Sequence, residues 1–75
     1  MSKGFVVIIT GNIDLDLEPA SKALAYFVQS GCTVQSPVLH GTQFLYTLTC
    51  QQGFSYDQDY VATLSHSGSF SITIG

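Results

Sequence analysis

Seventy-five residues with two lysines, no arginine and five carboxylates carry a formal charge of -3, and charged residues make up only 9% of the chain, against about a quarter in ordinary soluble domains. So little basic surface excludes a partner held by its phosphate backbone, and five carboxylates are too few to imitate DNA. A hydrophobic content of 45% with 12% aromatic residues excludes disorder and leaves one small-cored domain over residues 1–75.

The first apolar run, Phe5 to Ile9, ends at Thr10, Gly11 and Asn12. It is too short for a signal-peptide core or a bilayer span, so the expectation is a cytoplasmic protein with no membrane contact. Residues 4–10 lack alternation and read as a strand buried on both faces. The acidic stretch Asn12-Ile13-Asp14-Leu15-Asp16-Leu17-Glu18-Pro19 follows. Residues 18–30 then read as a helix, with Asp16 as N-cap, Glu18 at the positive end and Pro19 in the first turn. Ala20, Ala23, Leu24, Phe27 and Val28 form one apolar stripe at helical spacing, and Gly31 suits the C-terminal cap.

Residues 32–50 read as a hairpin turning at His40-Gly41-Thr42. Centring it on Gly41 pairs Phe44 with Val38, Tyr46 with Ser36, Leu48 with Val34 and Cys50 with Cys32, which gathers apolar groups on one face. The other face carries Thr33, Gln35, Gln43, Thr47 and Thr49 together with Leu39 and Leu45, and Pro37 places its strand at an edge. Cys32 and Cys50 thus meet on the core side. Two buried free thiols are the expected state in a reducing cytoplasm, with a disulfide as the alternative.

The last third has two readings. Residues 55–66 suit a helix with Tyr56, Tyr60, Val61 and Leu64 on one face and a Ser55–Gln58 capping box. They also suit a loop leading into a hairpin of residues 60–65 and 69–74, since FLYTLT, YVATLS and FSITIG resemble one another. The β-branched content favours the hairpin. The fold class is α+β: an antiparallel sheet of four to five strands with one helix on one face, βαββββ, or alternatively the ferredoxin-like order βαββαβ. Either way, the acidic loop, the His40 turn and His66 come to one end of the sheet, with Asp57 and Asp59 at the other.

That end could in principle collect Asp14, Asp16, His40 and His66 around a transition metal. No local spacing motif supports it, so a solvated polar rim is the expected state, with no metal and no cofactor. None of the serines stands in a GxSxG turn, the loop after the first strand lacks the glycines of a phosphate cradle, and no enzymatic activity is expected. The candidates are surfaces. Asp14, Asp16 and Glu18 form one, and Phe54, Tyr56, Asp57, Asp59 and Tyr60 interleave aromatics with acids, material that docks on a basic protein surface or simply plugs the core end. A third is the sheet face opposite the helix, where Thr33, Gln35, Thr47, Thr49, Ser69, Ser71 and Thr73 flank either Phe5, Val7 and Ile9 or Val6 and Ile8. An apolar row among neutral hydroxyls calls for a partner, such as a homodimer through the sheet.

Residues 5–50, with the strand FVVIITG, a helix, GCTV and a hairpin through HGTQF, resemble ACT-type regulatory domains. That resemblance implies a βαββαβ order, sheet-mediated dimers and a small effector such as an amino acid, although NIDLDL departs from the usual ACT helix start. By type, a small acidic αβ chain without catalytic residues resembles the inhibitors of phages and mobile elements, anti-CRISPR proteins among them. This implies action in the host cell by protein–protein contact with a basic surface of a host defence complex, and no direct contact with nucleic acid.

Overall fold

A computed structural model describes residues 4–51, 53, 55–65 and 69–75; the candidates Phe54 and His66 lie outside them. The described residues form β1 (Phe5–Asn12), α1 (Leu17–Gln29), β2 (Thr33–Val34), β3 (Val38–His40), β4 (Gln43–Cys50), α2 (Gln58–Leu64) and β5 (Ser71–Ile74). β4 and β5 flank β1, and β2 and β3 share the outer edge of β4, every pair antiparallel. The α+β class and the antiparallel sheet are therefore as expected, and the order is the ferredoxin-like one. β2 and β3 act as two halves of a single edge strand.

α1 begins and ends within a residue of the expected span. Its C-terminus closes as a Schellman motif: the Cys32 N–H donates to the Phe27 carbonyl and the Gly31 N–H to that of Val28, both at 3.0 Å. Gly31 takes φ +105°, a backbone state that glycine reaches without steric cost. Ala20, Ala23 and Phe27 are buried against Val7, Ile9 and Leu48, whereas Val28 lies at the margin of the stripe and is exposed.

The hairpin favoured for residues 60–74 is replaced by α2. Its start is set by Asp57, not by a Ser55 box: the Asp57 carboxylate accepts from the Asp59 and Tyr60 N–H groups at 3.0 and 3.2 Å. Val61 is buried, with Tyr56 and Leu64 packed against the core. YVATLS resembles the strand segments locally, but a strand there would leave that side of the sheet without the cover that Val61 gives Phe70 and Ile72 in the core. We expect Asp57→Ala to cost about 1 kcal/mol through lost capping, read as a melting temperature lower by about 4–8 °C.

β1 continues through Gly11 and Asn12, where the sequence had pointed to its end. It buries one face and not both: Val7, Ile9 and Gly11 point to the helices, while Val6 is exposed and Ile8 half-buried on the other side. The hairpin register holds in its inner half, where Val34 opposes Leu48. Nearer the turn it slips by one, pairing Val38 with Leu45, Leu39 with Phe44 and His40 with Gln43. A two-residue turn, Gly41-Thr42, with Gly41 at φ +64°, is the cause, because glycine at the first central position fits the twist of a tight hairpin. The extra residue is absorbed around Pro37, which cannot donate to a ladder. Val38 consequently faces away from the helices, the reverse of its expected side.

Cys32 and Cys50 are joined in a disulfide, with Cα atoms 4.3 Å apart. Free thiols were the expected state, and the bond corrects it. Extending the Thr33–Thr49 pairing by one residue sets the two cysteines directly opposite, at the close spacing typical of a non-hydrogen-bonded antiparallel pair. Both are buried.

Candidate functional site

The loop from Asn12 to Asp16 is held rigid by its own polar side chains. The Asn12 amide oxygen accepts from the N–H groups of Asp14 at 2.7 Å and Leu15 at 3.2 Å, an Asx-type turn. The Ile13 N–H donates to the Thr42 carbonyl at 2.7 Å, which ties the loop to the hairpin turn. Asp16 precedes α1 as expected, but its side chain makes no cap hydrogen bond. It turns inward, is 1% exposed, and accepts from the Asn12 N–H at 2.7 Å and from the Ser69 hydroxyl at 2.5 Å. Gly11 allows this approach, since a Cβ there would stand 3.0 Å from Asp16 Cβ and 2.8 Å from the Phe44 ring.

Asp16 is thus a structural residue with no accessible surface for a partner, a correction to its place among the contact candidates. Asp14 and Glu18 remain exposed. Between them stand Leu15, 76% exposed, and Leu17, 54% exposed. Sequence reasoning missed these two leucines as contact residues. Their alternation with acids was visible, yet only the inward turn of Asp16 shows that the leucines face water instead.

The second acidic group lies toward the other end, beside the C-terminal half of α1. The Asp57 N–H donates to the Tyr26 hydroxyl at 2.7 Å, and the Tyr26 and Tyr60 rings stand 5.0 Å apart. Tyr56 packs toward Phe5, with centroids 6.2 Å apart. Tyr56 is half-buried and Tyr60 exposed, so in this segment the aromatics join α2 to the rest of the molecule while Asp59 points outward. The contact candidates therefore occupy two separate places, as the topology had implied.

Both helices cover the same face of the sheet. The opposite face is open and carries Val6, Ile8, Thr10, Leu45, Thr47, Thr49, Thr33, Val38, His40, Ser71 and Thr73, none more than half-buried. Ser69, expected on this face, instead turns to Asp16. Val38, His40, Gln43, Leu45 and Thr10 border an open depression of about 300 Å³ at the turn end of the face.

Among the described residues, no group of three or more His, Cys, Asp or Glu is placed to hold a metal ion, and no helix is long and apolar enough to cross a membrane. Asp16 Oδ2 accepts from both Asn12 and Ser69. Comparison with protein-family models, curated proteins and solved structures finds no match.

Proposed function

We propose that the protein acts without catalysis, by docking the acidic end of the molecule onto a basic protein surface. The observation that carries this reading is the pair of exposed leucines, Leu15 and Leu17, set between Asp14 and Glu18 where a loop braced from within by Asn12 and Asp16 enters α1. An apolar anchor ringed by charge is the usual anatomy of a contact centre, and a braced loop loses little entropy on binding. Asp59 and Tyr60 supply a second, smaller contact. The finer form of the proposal is an inhibitor of a host defence complex, of the type that phages and mobile elements carry.

The test is affinity capture from a lysate of the host cell, comparing the wild type with Leu15→Ser and with Asp14→Lys combined with Glu18→Lys. We expect a stoichiometric partner with the wild type and roughly tenfold or greater loss with each variant, the scale of an interface hot spot. Capture that is equal for all three proteins rules out the acidic end as the contact. The βαββαβ order favours a second reading, an ACT-like module for a small effector. Screening amino acids for a rise in melting temperature tests it.

A further inference from the structure

We infer that the open face of the sheet is the contact between two copies of this chain. Its chemistry differs from that of the acidic end. Among the described residues the face bears no Asp, Glu or Lys, while the exposed carboxylates Asp14, Glu18, Asp57 and Asp59 all lie off it. The basic partner suited to the acidic end would find no counter-charge here. A second copy, despite a net charge of -3, would meet no like charge.

The face is also complementary to itself. Val6 and Ile8 form a ridge along β1, and Val38 and Leu45 border the depression at the far end. Opposed sheets stacked at about 10 Å bring the ridge of one copy against the apolar wall of the other. The surrounding hydroxyls both donate and accept hydrogen bonds, so a threonine-rich surface can satisfy an identical one. The rows are uneven, with eight residues each in β1 and β4, four in β5, and two and three in β2 and β3, so at about 3.4 Å per residue and about 4.8 Å per row the paired face covers roughly 400 Å². Two copies then bury on the order of 800 Å², the size of a weak and reversible contact.

The experiment is light scattering coupled to chromatography on the intact, oxidised chain at roughly 100 µM, above the micromolar dissociation constant expected at the small end of the size range. We expect twice the 8.1 kDa chain mass for the wild type and for Leu15→Lys, and a single chain mass for Leu45→Lys and Val38→Lys with unchanged circular dichroism. Should those two variants fail to fold, amide shifts of the wild type on dilution decide the matter. Movement centred on Ile8, Leu45 and Thr47 supports the proposal, and movement confined elsewhere overturns it. A monomeric wild type, or a dimer that survives both face variants in folded form, also overturns it.

Discussion

Replacing Cys32 and Cys50 together with alanine is expected to cost about 2–4 kcal/mol, in a domain whose small core supplies only about 3–5 kcal/mol in all. The doubly substituted chain should therefore melt near room temperature or lack a cooperative transition, as followed by circular dichroism. The reason is local as well as entropic. β2 contributes two residues, both exposed, and joins the sheet only through Thr33 and Val34. The disulfide carries the end of α1 and the start of this edge strand onto β4, closing a loop with a sequence separation of 18. Reduction of the wild type should produce the same loss as the double substitution, and a reduced protein as stable as the oxidised one refutes the argument. A lasting disulfide goes with an oxidising setting, whereas the proposed host-cell inhibitor would meet a reducing one. Alkylating free thiols at the moment of lysis reads directly which state the chain occupies.

Asp16→Ala should rank next, at about 3 kcal/mol. The substitution strands the Asn12 N–H and the Ser69 hydroxyl, each worth about 1–3 kcal/mol when a charged acceptor is lost, and it opens a gap beside Gly11 and Phe44. Asp16→Asn keeps the shape and one acceptor, so it should cost less than half as much. Equal losses for the two variants would mean that the charge, rather than the geometry, holds the loop. Both are read from urea midpoints at constant slope. The same substitutions also separate folding from binding: Asp16 variants should weaken partner capture only as far as they unfold the loop.

The disulfide and Asp16 mark where sequence reasoning stopped. The register placing Cys32 opposite Cys50 followed from alternation, and Val34 does oppose Leu48. The state of the sulfurs did not follow, because it was inferred from an assumed compartment. Asp16 was identified as the residue before the helix, which is a local property. That its carboxylate turns inward depends on Ser69, 53 positions away, and no local pattern carries such a contact. The one-residue slip near His40 has the same character: turn length and the bulge at Pro37 trade against each other, and only the assembled sheet decides between them.

By itself the sequence determined one small α+β domain, the span of α1, the inner hairpin register and the separation of its acids into two groups. Each of these rests on short-range terms: helical spacing, side-chain alternation, a glycine past a helix end. The tertiary structure alone decided that residues 58–64 are a helix, since that segment suits both states locally and the need to cover Phe70 and Ile72 selects one. It also decided which row of β1 stays uncovered. Val6 and Ile8 are as apolar as Val7 and Ile9, and only the placement of both helices on one side of the sheet leaves them open.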